Sequence, residues 1–210
     1  GQEPLVHPDH QRIVIEPRRD LFLLLEGVRG VLGARFIAFD PVGDRGIAVY
    51  LLSHPSSALI LLCGSENFGL WMYDCRDELL HVIDLFRQRS LAHVKAALAV
   101  GIRGVYGWGG PELFIPPLMS PASFEDFMVP FDRPIIDAVR NANSHFWVHC
   151  HGKVKALLPR FAKMGVDVLN PVEAPPMGDV TLAEAFGIVG DRMGLEGNIE
   201  VDEFFSSEPA

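Results

Sequence analysis

The stretch Phe146-Trp147-Val148-His149-Cys150-His151-Gly152 decides the fold prediction, because it runs from apolar residues into polar ones and ends on a glycine. Such a run is typical of the carboxyl end of a buried strand. Residues two apart in a strand face the same side, so His149 and His151 are expected to point together. Cys150 then points the other way, which suits a small buried side chain better than a metal ligand.

A second apolar run, 166–169, ends in the same manner, with Asn170-Pro171-Val172-Glu173 directly after it. Two imidazoles and a carboxylate at neighbouring strand ends predict a site for a divalent metal such as zinc, with His149, His151 and Glu173 as its ligands. The alternatives are hydrogen-bonded structural histidines and a loop carboxylate in water.

Strand-like and helix-like segments alternate from residue 47 onward. The alternation predicts an α/β fold with a parallel sheet that is either open or closed into a barrel. Strands are expected at 47–52, 103–107, 146–149, 166–169 and 193–199. Helices are expected at about 66–73, 77–99, 124–141, 154–164 and 181–187, and Pro130 and Pro134 should bend or split the third. Residues 1–42 are expected to form a lead-in with one short helix, and residues 43–210 the α/β unit.

Composition limits the function classes. The 210 residues are 49% hydrophobic and carry a formal net charge of −9, which argues against nucleic acid or an anionic membrane surface as a partner. No apolar run approaches the ~20 residues of a membrane span, and the first residues lack a signal-peptide pattern. Three cysteines are too few for a disulfide framework. We therefore expect a cytoplasmic protein that acts on a small-molecule substrate.

Polar side chains follow five predicted strands, at the edge where ligands bind in parallel sheets and barrels. Glu112 is a candidate catalytic base or ligand orienter, although a solvated loop acid is an equal alternative. The candidate substrate-binding residues are His54, Trp108, Asn170 and Asn198. The glycines of 107–110 lack the spacing of a phosphate or dinucleotide loop.

Several motifs, taken in order, resemble the uroporphyrinogen decarboxylase superfamily. They are Gly43-Asp44-Arg45-Gly46, Cys63-Gly64-Ser65-Glu66-Asn67-Phe68, Leu118-Met119-Ser120-Pro121-Ala122-Ser123-Phe124-Glu125-Asp126-Phe127, His149-Cys150-His151-Gly152, Gly165-Val166-Asp167-Val168-Leu169-Asn170-Pro171-Val172-Glu173 and Gly194-Leu195-Glu196-Gly197-Asn198-Ile199. The resemblance covers roughly residues 43–200 and implies a (β/α)8 TIM-type barrel.

The resemblance implies one of two chemistries. Some members decarboxylate uroporphyrinogen without a cofactor, and others are zinc enzymes that move methyl groups between a corrinoid and a thiol or take part in demethylation. The methyltransferases carry the motif His-x-Cys-Gly. His149 matches its histidine, and His151 stands where the motif has the cysteine. Glu173 falls where these enzymes have an acidic zinc ligand. Zinc-dependent methyl transfer is the leading expectation, with zinc as cofactor and a corrinoid as substrate or partner-borne group.

Compared with the superfamily, the chain is expected to lack the first barrel strands and the last. The barrel is therefore expected to be incomplete: the chain is a fragment, a second copy completes the sheet in a homodimer, or residues 1–42 replace the missing strands. A corrinoid protein is a possible partner. The alternatives to methyl transfer are uroporphyrinogen decarboxylation and a non-catalytic barrel fragment that serves binding or assembly.

Overall fold

The structure is a computed structural model, which describes residues 47, 49–197 and 199. The predicted lead-in at 1–42 therefore lies outside the described residues. Five parallel strands form one sheet in the order β1-β2-β3-β4-β5. The strands are β1 (Val49–Leu51), β2 (Val105–Gly109), β3 (His145–His149), β4 (Val168–Asn170) and β5 (Gly194–Leu195).

Seven α-helices occupy the described residues, all of them in the connections between strands. They are α1 (Pro55–Cys63), α2 (Ser65–Asp74), α3 (Arg76–Ala99), α4 (Pro121–Phe127), α5 (Val129–Arg140), α6 (Leu158–Met164) and α7 (Leu182–Val189). The same part of the chain contains two short 3-10 helices, Pro111–Phe114 and Gly190–Arg192.

The strand order distinguishes between the two parallel architectures that the sequence left open. Each strand pairs with the next one along the chain, and the order does not reverse anywhere in the sheet. A doubly wound sheet contains such a reversal, whereas a barrel adds strands in one direction with its helices outside. The described residues therefore form an arc of a TIM-type barrel, as the sequence predicted.

The two faces of the sheet have different environments. Tyr106, Trp108, Phe146, Val148 and Leu169 alternate along β2–β4 on the face covered by helices, and each is at most 1% exposed. The other face corresponds to a barrel interior. Its side chains remain partly open to solvent, as in β1, where Leu51 is 64% exposed.

Several element bounds differ from the predictions for local reasons. The second strand starts at Val105 because Gly104, with a φ of 116°, still belongs to the turn. Helix α6 starts at Leu158, since Pro159 suits only the first turn of a helix. Helix α1 was not predicted: His54 caps it, Pro55 begins it, and its apolar residues lack helical spacing.

Prolines and the neighbouring caps divide the predicted helix at 124–141. The side chain of Ser120 accepts a hydrogen bond from the Ser123 amide and caps the start of α4. The helix is interrupted at Met128, and α5 begins at the next residue. The expectation of a split was therefore confirmed near Pro130, whereas Pro134 lies inside α5.

None of the three cysteines forms a disulfide. Burial raises the pKa of the Cys63 thiol to about 11, with backbone hydrogen bonds opposing the shift. Within the described part of the chain, no helix combines the length and the apolar character needed to cross a membrane.

Candidate functional site

The candidate site lies at the carboxyl ends of β2, β3 and β4. His149 is the last residue of β3 and is in register with Asn170, the last residue of β4. Since paired residues of parallel strands face the same side, both side chains point toward the open face of the sheet. The His149 Nδ1 atom lies 2.7 Å from Asn170 Oδ1. An amide oxygen only accepts hydrogen bonds, so Nδ1 carries the hydrogen and Nε2 presents a lone pair.

His151 and Glu173 form the second pair of the site. The His151 Nδ1 atom donates to Glu173 Oε1 at 2.8 Å, and the Gly152 N–H donates to Glu173 Oε2 at 2.5 Å. Glu173 is only 9% exposed, whereas the side chain of His151 is 51% exposed. Both carboxylate oxygens of Glu173 thus accept hydrogen bonds from residues that directly follow β3. In this tautomer, the Nε2 atom of His151 presents a lone pair, as that of His149 does.

The two imidazoles lie close together, as the alternation of the strand predicted. Their ring centroids are 4.5 Å apart and the planes meet at 84°. A zinc-binding histidine commonly donates its second ring hydrogen to a carboxylate or carbonyl oxygen, which is the pattern seen at both rings. The site therefore offers two imidazoles in the tautomer that a metal requires.

A third metal ligand is not supplied by the described residues. Among residues 47, 49–197 and 199, no group of three or more His, Cys, Asp or Glu side chains is arranged to hold a metal ion. Each oxygen of Glu173 accepts one hydrogen bond from the protein, so in this structure Glu173 orients His151. Its predicted role as a direct metal ligand stays a prediction.

Glu112 lies in the 3-10 helix that follows β2 and is partly buried. Its Oε2 atom accepts the Gly110 N–H at 3.0 Å, and Oε1 has no hydrogen-bond partner among the described residues. Burial raises the pKa of the Cys150 thiol well above its usual value, and the negative charges of Glu112 and Glu173 raise it further. Gly109, next to Gly110, is in register with His149, and a Cβ atom at Gly109 would lie 3.4 Å from His149 Cδ2. The turn that binds Glu112 therefore lies beside His149.

Trp147 is a site residue that the sequence analysis missed. Its indole stacks on His149 with centroids 5.8 Å apart, and its Nε1–H donates to Glu196 Oε2 at 2.8 Å. Glycines 107 and 109 on β2 are in register with Trp147 and His149 and leave room for the two rings. The period-two alternation that pairs His149 with His151 also points to Trp147 and could have found it.

Two predicted substrate-binding residues require correction, and one lies outside the described residues. Trp108 lies within β2 on the helix-facing side and is 1% exposed, so a substrate does not reach it. His54 is 2% exposed and contacts Asp132 and Ser57 instead of a cavity. Asn170 lies at the site, where it orients His149. Asn198 is not among the described residues.

A sequence model described as Uroporphyrinogen decarboxylase (URO-D) matches residues 51–209, which is most of the chain. The chain belongs to this family. Its superfamily includes decarboxylases and methyltransferases, so the resemblance inferred from the motifs is confirmed. No curated protein sequence matched the chain.

A solved structure of a methyltransferase from Methanosarcina mazei is similar to the protein. The two chains share 25% sequence identity and superimpose with a TM-score of 0.62. The match covers 75% of this chain and 44% of that structure, so the chain spans less than half the length of its structural relative. The likeness supports the partial barrel of this family.

Proposed function

We propose that the protein contributes the histidine-bearing half of a methyltransferase active site of the uroporphyrinogen decarboxylase superfamily. The observation that carries the proposal is the pair of imidazoles at the end of β3, each held through Nδ1 by an oxygen acceptor. The similarity to the Methanosarcina mazei methyltransferase supports the reaction class.

The described residues divide the work at this site. Asn170 and Glu173 hold the rings of His149 and His151 so that both Nε2 lone pairs face the open side of the sheet. Trp147 forms the floor beside His149. The unpaired Oε1 of Glu112 accepts a proton from the substrate or from an acceptor thiol, which is the role of a general base.

Zinc fits the donor chemistry of the two histidines but not a complete ligand set within the described residues. We propose that the Nε2 atoms of His149 and His151 hold the metal, and that the remaining ligands come from substrate, solvent or residues outside the described part of the chain. When bound, zinc lowers the pKa of a coordinated thiol and so supplies the nucleophile.

Metal analysis and a methyl-transfer assay test the proposal. The purified protein is expected to bind one equivalent of zinc and to demethylate methylcobalamin when a thiol such as 2-mercaptoethanesulfonate is added. His149→Ala and His151→Ala should each lose both properties. His81→Ala, on the exposed side of α3, is the matched control. A protein that binds no zinc and whose methyl transfer is unchanged by His149→Ala would contradict the proposal.

Uroporphyrinogen decarboxylation is the second candidate, because the matching family model carries that description. Its substrate bears many carboxylates and needs a cationic pocket. The described rim instead brings Glu112, Glu173 and Glu196 toward the site, which disfavours a polyanion. Decarboxylation of uroporphyrinogen by the purified protein, with no methyl transfer, would favour this candidate.

A further inference from the structure

A hydrogen-bonded network of buried polar side chains lies beneath the turn that carries Glu112. The His54 Nε2 atom is 3.0 Å from Asp132 Oδ2 on α5, and its Nδ1 atom is 2.8 Å from Ser57 Oγ. The Ser57 hydroxyl donates to the Gly110 carbonyl oxygen at 2.7 Å. The network thus connects α5, through the first turn of α1, to the loop after β2.

The three side chains of this network are almost completely buried. Asp132 is 0% exposed, His54 2% and Ser57 3%. Asp132 Oδ1 has no hydrogen-bond partner among the described residues. Burial raises the pKa of the Asp132 carboxyl, and His54 partly opposes the shift. Burying polar groups costs free energy unless they are fully paired, so hydrophobic packing alone does not account for these residues.

The network connects to Glu112 through the backbone N–H and carbonyl groups of Gly110. The Gly110 carbonyl accepts the Ser57 hydroxyl, and the Gly110 N–H donates to Glu112 Oε2 at 3.0 Å. Gly110 has a φ of 118°, and a Cβ atom at this position would lie 2.6 Å from Ser57 Oγ. Only glycine permits this close approach, so the position of Ser57 determines the position of the turn.

We propose that Asp132, His54 and Ser57 are positioning residues that hold the Gly110 turn and thereby aim Glu112 at the histidine pair. This inference deepens the proposed function, since the value of aiming Glu112 rests on its role there. The geometric claim itself does not depend on which reaction the site performs.

The order Ser57–His54–Asp132 is also that of a serine hydrolase triad, but its environment excludes a nucleophilic role. The hydroxyl hydrogen of Ser57 is directed to the Gly110 carbonyl, and the side chain is buried. The rings of Trp108 and Phe114 pack against His54 at centroid distances of 5.1 and 6.1 Å. A substrate carbonyl does not reach Ser57 Oγ, so the trio acts on the backbone.

The test uses the Gly110 amide resonance in a two-dimensional nitrogen–proton NMR spectrum. Because this N–H donates to the Glu112 carboxylate, its shift should change when Glu112 is protonated at low pH, and Glu112→Gln should abolish the change. Ser57→Ala removes the hydroxyl that holds Gly110 and is expected to remove most of the pH-dependent shift. The control is Ser56→Ala, in the same helical turn as Ser57. It removes a buried hydroxyl that donates to the Phe127 carbonyl, and it should leave the pH-dependent shift of Gly110 unchanged.

Asp132→Asn provides a second, more conservative variant if Ser57→Ala does not fold. It is expected to reduce the pH-dependent shift of Gly110, because the amide cannot hold His54 as the carboxylate does. A wild-type response in either folded variant overturns the proposal. An intact response in the wild type without any methyl transfer would contradict the proposed function alone. In the methyl-transfer assay, Ser57→Ala should lower the rate while the zinc content stays the same.

Discussion

At the scale of single residues, the role of Glu173 follows from counting its hydrogen bonds. Its two oxygens accept from two different donors, the imidazole of His151 and the amide of Gly152. A carboxylate satisfies both donors and, in the neutral imidazole, selects the tautomer that carries its hydrogen on Nδ1. Glu173 therefore sets the tautomer and the direction of a ring that reaches the open side of the sheet.

Glu173→Gln is expected to weaken zinc binding by about 10- to 100-fold, the usual effect of removing a residue that orients a metal ligand. A glutamine offers one oxygen to two donors, so either His151 or Gly152 loses its acceptor. Competition with a chelating dye measures the affinity. Glu125→Gln, at an exposed ion pair with Arg160 on the helical side, is the control. Equal affinities in both variants would refute the orienting role.

At the scale of elements, β2 is shaped to receive side chains from β3. Residues 107 and 109, the positions of β2 that face the barrel interior beside Trp147 and His149, are both glycines. A Cβ atom at Gly107 would collide with the Trp147 carbonyl oxygen and lie 2.9 Å from Cε3 of its indole. The glycines of this strand thus serve ring packing, which explains why their spacing fits no nucleotide motif.

Gly107→Ala is expected to lower the free energy of unfolding by about 1–3 kcal/mol, because the added methyl group overfills the contact between β2 and β3. Gly69→Ala is the matched control, since a Cβ atom at this position of α2 would meet nothing within 4 Å beyond the backbone of its own helix. That substitution should raise stability by about 0.5–1 kcal/mol through helix propensity. Urea unfolding of both variants measures the difference, and equal effects would contradict the packing argument.

The start of α7 gives a pH-dependent contribution to stability. Hydrogen bonds from the Thr181 backbone amide, Lys155 and the Thr181 hydroxyl lower the pKa of Glu184 from 4.5 to about 2. The lowered pKa means that the folded state favours the carboxylate, so the contribution is present above pH 4.5 and is lost as the pH falls toward 2. The stability difference between wild type and Glu184→Gln should shrink over this range in thermal unfolding measured at successive pH values; a constant difference would contradict the assignment.

At the scale of the whole molecule, the five strands among the described residues form an arc of a barrel, and these residues leave the interior face of that arc partly exposed. Leu51 and Val49 on β1 are 64% and 38% exposed, and a cavity of about 410 Å³ opens among Val105, Trp147 and Val168. Open apolar sheet faces promote association. The predicted homodimer is consistent with this feature and stays a prediction.

Self-association is expected to depend on the interior face of β1. Leu51→Glu should weaken it, because the charge lies on the face that a second copy would cover. Leu61→Glu is the control, since Leu61 is 81% exposed on α1. Sedimentation velocity over a concentration series measures the effect. A chain that is monomeric at all concentrations, or equal weakening by both substitutions, would rule out this interface.

The sequence predicted the architecture and the closeness of the two histidines because both depend on local patterns. Alternation in β3 placed His149 and His151 on one side and Cys150 in the core, and the structure confirms this arrangement. The strand–helix rhythm predicted the parallel sheet. These features depend on residues close together in the chain.

The features that the sequence missed depend on contacts between distant residues. The partner of His54 is Asp132, 78 positions away, and the partner of Trp147 is Glu196, 49 positions away. The error at Trp108 came from ending β2 two residues early. That placed Trp108 in the loop after the strand, whereas inside the strand it alternates with Gly107 and faces the helices. The hydrogen bond from the Gly152 amide to the second oxygen of Glu173 likewise joins residues 21 positions apart.

The protonated state of the thiols has a practical consequence for labelling. With its pKa raised to about 11 by burial, the Cys63 thiol stays protonated at neutral pH, and ionised sulfur is the form that reacts with alkylating reagents and oxidants. Cys75 and Cys150 are buried from such reagents altogether. A single cysteine introduced on the exposed surface of α3 would therefore accept a fluorophore selectively, without first removing the native three.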